Sequence, residues 1–121
     1  MTTTGKLFRS YAETIIAKHG FGSNKMVQSW HVPFVESHKG EVAHLINDFT
    51  EGSEESERGI ALMNELWDGQ EFLLNNGYLR RYRPEYMGWQ GKRRVKKHGA
   101  IYIGLTEKGW AIANRYLEAE V

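Results

Sequence analysis

The chain has 121 residues, 40% hydrophobic and 26% charged, with a formal net charge of +1 and no cysteine. That length suits one core, so residues 1–121 are read as a single domain. Disulfides and thiolate metal sites are excluded, and no apolar run approaches the roughly 18 residues of a membrane span. The opening MTTTGKLFRS has no apolar stretch ahead of a small-residue cleavage site, which makes the cytoplasm the expected location.

The first helix is predicted over about residues 5–19. Phe8, Ala12 and Ile15 share a face, flanked by Leu7, Tyr11 and Ile16, and Gly20 and Gly22 are natural stops. Residues 25–35, KMVQSWHVPFV, hold Pro33, which argues against a continuous helix and for an extended crossing segment or short strand. Ser37 is the expected cap of a second helix with Val42, Leu45, Ile46 and Phe49 as its buried stripe. TEGSEESERG then interrupts the apolar pattern, and Ser53 or Ser56 is placed to cap a third helix. Its apolar face is predicted from Ile60, Met63, Trp67 and Leu74, with Leu66 and Leu73 adjacent. Gly69 weakens its middle, and Asn76 and Gly77 end it.

YLRRY and AIYIGL, rich in aromatic and β-branched residues, read as two strands, Tyr78 to Tyr82 paired antiparallel with Ile101 to Leu105. About sixteen residues containing Pro84, Gly88, Gly91 and Gly99 separate them, long enough for a functional loop. Thr106 would cap a last helix with Trp110, Ala113 and Leu117 on one face, beside Ile112 and Tyr116. Trp67, Trp110 and Trp30 are assigned to the core. Trp89, among polar neighbours, is either an exposed contact or an anchor for the loop's base.

The small net charge hides a strong segregation. Residues 36–75 carry two Lys/Arg and ten Asp/Glu, whereas residues 80–98 carry eight Lys/Arg and one Glu. Five cations fall within residues 92–97 alone. Local charge rather than the total governs what a polyanion meets.

The order of elements resembles a winged helix-turn-helix domain. NNGYLRRY resembles the passage from recognition helix to wing in MarR-like and PadR-like regulators. IGLTEKGWAIANRYL resembles their strand-to-helix passage, with Leu105, Thr106 and Gly109 in a Leu-Thr-x-x-Gly pattern. The match covers about residues 57–117. It implies an α+β fold, a winged helix-turn-helix of about four helices with a two-stranded antiparallel hairpin and a long basic wing loop. It also implies nucleic-acid contact by the wing, duplex DNA first, and a transcriptional or replication-associated role of bacterial or phage type. Carried over by position, the contact residues are Arg80, Arg81, Arg83, Lys92, Arg93, Arg94, Lys96 and Lys97, with Tyr86, Trp89 and His98 among them able to stack on a base or sugar. The plain alternative is a solvated loop. The resemblance also allows dimerisation through the first and last helices.

Glu51, Glu54, Glu55 and Glu57 depart from the family pattern, because a recognition helix normally puts its first turns into the major groove. Acids in a first turn favour the helix dipole by about 0.3–1 kcal/mol each, but they repel phosphate. The wing is therefore the better nucleic-acid contact. A second reading stays open, a protein-interaction module or inhibitor that uses these carboxylates or the basic loop on a protein partner.

His19, His31, His38, His44 and His98 make no metal signature, and His38 and His44, six apart, lie on different helix faces. No nucleophile motif or phosphate-binding loop occurs, and nothing suggests a carboxylate buried for acid–base work. The expectation is a protein without catalytic residues, metal or cofactor.

Overall fold

The computed structural model describes residues 2–117. The fold is α+β: four helices around a small antiparallel sheet, with a separate two-stranded ribbon, an arrangement compatible with a winged helix.

Helix α1 (Thr3–His19) is the centre of the core. Thr2 caps it by accepting the Gly5 amide at 3.1 Å, and Gly20, at φ 91°, ends it. Leu7, Phe8, Tyr11, Ala12 and Ile15 are completely buried and Ile16 is half-buried, so the predicted apolar face is the one turned to the core. The crossing segment that follows contains strand β1 (Val27–Gln28), a 3₁₀ turn over Ser29–His31, and then helix α2 (Pro33–Asn47).

Helix α2 starts at Pro33, and Ser37 lies inside it rather than capping it. Proline at the first helical position costs nothing, because its missing N–H is one of the orphan donors of a helix start. The next amide, of Phe34, donates to the Ser10 hydroxyl of α1 at 3.3 Å. The expected stripe on α2 is buried only at Leu45; Val42 and Ile46 are half-buried and Phe49 is exposed. Val35, one of the first residues of the helix, supplies its other buried contact.

Helix α3 (Glu54–Asn75) is capped by Ser53, which accepts the Ser56 amide at 3.2 Å. Gly59 lets α3 approach α2 closely: a Cβ there would lie 2.9 Å from the Leu45 Cβ. Gly69 does the same against α1, where a Cβ would meet the Thr4 hydroxyl at 3.2 Å. The glycine read as a weak point is thus a packing contact. Leu73 is buried and Leu66 and Leu74 are half-buried, but Ile60, Met63 and Trp67 are exposed at the surface. Trp30 is also exposed, so of the three tryptophans assigned to the core only Trp110 belongs there.

Strands β2 (Leu79–Tyr82) and β5 (Tyr102–Leu105) pair antiparallel, as the sequence predicts, each one residue shorter than expected, with Leu79 opposite Leu105 and Tyr82 opposite Tyr102. β5 lies between β2 and β1 because Val27 and Gln28 pair with Ile103 and Tyr102, giving three strands. Helix α4 (Glu107–Leu117) follows. Thr106 caps it by accepting the Gly109 amide at 3.0 Å, and its own hydroxyl donates to the Gly77 carbonyl. Gly109 sits so close to β2 that a Cβ would collide with the Tyr78 carbonyl oxygen. Thr106 and Gly109 therefore have a physical reason in this chain: one caps the last helix and ties it to the end of α3, the other lets it press on the sheet.

Residues 83–100, expected as an irregular loop, are mostly ordered strand. β3 (Glu85–Gln90) and β4 (Arg93–His98) pair residue for residue, from Glu85 opposite His98 to Gln90 opposite Arg93. The two-residue turn is Gly91-Lys92. Gly91 has φ 63°, the left-handed value that the first position of a II′ hairpin turn requires.

Candidate nucleic-acid interface

The ribbon projects about 20 Å, six residues at roughly 3.4 Å each, and every side chain on it is exposed or only half-buried. Opposite residues of an antiparallel pair share a face. One face therefore carries Glu85, Met87 and Trp89 with Arg94, Lys96 and His98. The other carries Tyr86, Gly88 and Gln90 with Arg93, Val95 and Lys97. Lys97 lies across Gly88, where a Cβ would meet its Cδ at 2.8 Å.

The predicted contact residues divide into two groups. Arg80, Arg81 and Arg83 belong to the base. Arg80 donates to the Asn24 carbonyl, and Arg83 donates to the Gly99 carbonyl at 3.2 Å. Arg81 pairs with Glu71 of α3 at 2.7 Å and reaches the buried Gln70 amide oxygen at 3.3 Å. These three fix the sheet to its surroundings. On the ribbon, Glu85 takes Lys96 at 3.1 Å and lies 3.7 Å from His98. Lys92, Arg93, Arg94 and Lys97 have no ion-pair partner among the described residues; the first three are exposed, and Lys97 is half-buried against Gly88. Trp89, 66% exposed, and Tyr86 and Met87 beside them are among the most exposed large side chains of the protein.

A one-residue offset sets how the ribbon leaves the sheet. Between the Tyr82–Tyr102 pair and the Glu85–His98 pair, two residues on one strand face three on the other. The extra residue acts as a β-bulge, which bends the strand and re-aims the side chains beyond it. The Gly99 amide donates to the Pro84 carbonyl at 2.7 Å within this offset.

Glu54, Glu55 and Glu57 occupy the first turn of α3, and Glu51 precedes it in the turn after α2. Glu51, Glu54 and Glu57 are exposed and Glu55 is half-buried. They are remote in sequence from the ribbon, and none makes an ion pair with a described residue.

Sequence reasoning missed a cavity of about 180 Å³ between α2 and α3. At its base the Tyr11 hydroxyl shares a hydrogen bond with Ser29 Oγ at 2.5 Å and accepts the Gln70 side-chain amide at 3.0 Å, so these polar groups satisfy one another. Its walls are apolar, with Trp30, Met63 and Trp67 at the surface. Lys39 reaches over the Trp30 ring, 3.1 Å from its centroid. Burial pushes the Tyr11 hydroxyl above its ordinary pKa of 10.0, against the two hydrogen bonds that lower it. The exposed row Ile60, Met63, Trp67 was the sequence signal: helical spacing identifies a face, not what covers it.

No group of His, Asp or Glu among the described residues could hold a metal ion, and no described helix is long and apolar enough to cross a membrane. No protein-family model matches the chain, and no curated protein or solved structure is similar enough to count as a match.

Proposed function

We propose that this is a small winged-helix protein that binds nucleic acid, duplex DNA first, through the β3–β4 ribbon, in a transcriptional or replication-associated role. The observation that carries the reading is the set of cations without an ion-pair partner among the described residues, the exposed Lys92, Arg93 and Arg94 and the half-buried Lys97, on a ribbon that stands clear of the body. Phosphate neutralisation needs mobile cations at the surface rather than exact geometry. A two-stranded ribbon also fits a major groove about 12 Å wide. The acidic start of α3 disfavours that helix as the groove reader, so the ribbon leads. Catalysis, cofactor and metal have no part in this reading.

The second reading, a protein-interaction module, draws on the exposed apolar row of α3 beside its carboxylates. A fluorescence-anisotropy titration with mixed-sequence duplex DNA at two salt concentrations separates them. Salt-sensitive binding is the expected result, and no binding at low salt would overturn the first reading.

A further inference from the structure

Two exposed surfaces of this chain are complementary in charge. The first is the outer side of α3. At about 100° per residue, Met63, Trp67 and Ile60 fall in one narrow arc, and Glu57 and Asp68 fall in the arc beside it, with Glu71, which is already paired with Arg81. The three apolar residues are exposed, and Met63 and Trp67 line the mouth of the 180 Å³ cavity. That volume is slightly larger than an apolar cavity of about 150 Å³ that accepts benzene, so it suits one aromatic ring. Tyr11, Ser29 and Gln70 set hydroxyl and amide oxygens on its floor.

The second surface is the ribbon face that carries Trp89 with Arg94 opposite it and Met87 with Lys96 opposite. Trp89 is the most exposed large apolar residue of the described chain. The cations around it match an acidic stripe along α3. A two-stranded hairpin is marginally stable on its own and gains from a surface to lie against.

We propose that the chain self-associates through these surfaces: the ribbon of a second copy lies along α3, seats Trp89 in the cavity between α2 and α3, and sets Lys92 and Arg94 against Glu57 and Asp68. Among the described residues, Lys39 is the one cation lining the cavity. It is already held over the Trp30 ring, on the α2 side of the mouth. This contact does not rest on nucleic-acid binding. It uses some of the same cations, so self-association and polyanion binding compete for the ribbon.

Sedimentation equilibrium of the full chain at low and high salt tests it. Wild type should associate with rising concentration and dissociate as salt screens the charges. Trp89→Ala, at an exposed site outside the core, should weaken association at least about tenfold, as loss of a central aromatic anchor does. Two charge-reversed variants complete the test: Lys92→Glu with Arg94→Glu, and Glu57→Lys with Asp68→Lys. Each should be monomeric alone, and the two mixed should associate. The acidic-side variant keeps its ribbon intact, so its DNA titration reports on the nucleic-acid reading separately. A wild type that stays monomeric at low salt, a Trp89→Ala chain that associates as well as wild type, or reversed variants that do not recognise each other would overturn the proposal. Saturable binding of free indole in the cavity of a strictly monomeric protein would overturn it too, and would make the cavity a small-molecule site.

Discussion

Pro84 and Gly99 face each other where the ribbon leaves the sheet, and each depends on the other. The Gly99 amide donates to the Pro84 carbonyl at 2.7 Å, and a Cβ on residue 99 would lie 2.8 Å from the Pro84 ring. Only a residue without a side chain lets the proline come this close. Gly99→Val should break this contact while leaving the core alone. The expected outcome is faster amide hydrogen exchange in β3 and β4, weaker DNA binding, and a global stability changed by less than about 1 kcal/mol, since the site is near the surface. Unchanged exchange in the ribbon would show that the contact does not hold it.

The ribbon cations should act through phosphate and not through base identity. With about five phosphates neutralised, log K should fall with log salt at a slope near −4 to −5. Replacing Lys92, Arg93 and Arg94 with Ala should flatten that slope by about two to three units and weaken binding to every sequence alike. Anisotropy titrations across several salt concentrations measure both effects, and an unchanged affinity would remove the ribbon as the contact.

Glu54, Glu55 and Glu57 changed together to Gln should leave the fold intact, because none makes an ion pair with a described residue. DNA binding should hold or tighten, most visibly at low salt, where repulsion is least screened. A folded triple variant that loses DNA binding would contradict a ribbon-led contact. If the carboxylates serve a protein partner instead, their loss slows that association and spares DNA.

Gly109→Ala should be disruptive out of proportion to its size. The added carbon meets the backbone carbonyl of Tyr78, which cannot swing aside as a side chain can. Helix α4 must then lift from the sheet, at a cost of roughly 1–3 kcal/mol. Urea denaturation of the variant against wild type reads this directly. A variant as stable as wild type would show that α4 does not press on β2.

Tyr11→Phe should cost about 1–3 kcal/mol, because Ser29 and Gln70 lose a buried partner. It should also change the alkaline limb of stability. Burial raises the folded pKa of Tyr11 above its ordinary 10.0, so above that pH the unfolded chain releases this proton first. The stability linked to this group is complete below pH 10 and is lost as the pH climbs toward the folded pKa. The Phe variant should lack that part of the decline in denaturation midpoints measured from pH 8 to 11. A decline as steep as in wild type would mean that Tyr11 does not titrate with unfolding.

Local chemistry determined much of this protein from the sequence alone. Apolar spacing and glycine stops located α1, the strand pair Leu79–Tyr82 with Tyr102–Leu105 follows from their β-rich composition, and Ser53 and Thr106 cap the helices they precede. The helix caps and stops and the strand propensities depend on neighbours within a few residues. What the tertiary structure decided depends on residues far apart. Helix α2 begins at Pro33 because its Phe34 amide finds Ser10, 24 positions earlier. Trp30 and Trp67 stand at a cavity mouth because α2 and α3 leave them uncovered, and helical spacing cannot report what lies against a face. The ribbon gave no alternating apolar pattern because neither of its faces is buried, so charged residues occupy both sides and its order rests on backbone pairing and the Gly91 turn. The cation cluster was visible in the sequence; that Arg80, Arg81 and Arg83 hold the base while Lys92, Arg93, Arg94 and Lys97 stay free was decided by which partners the fold brought within reach.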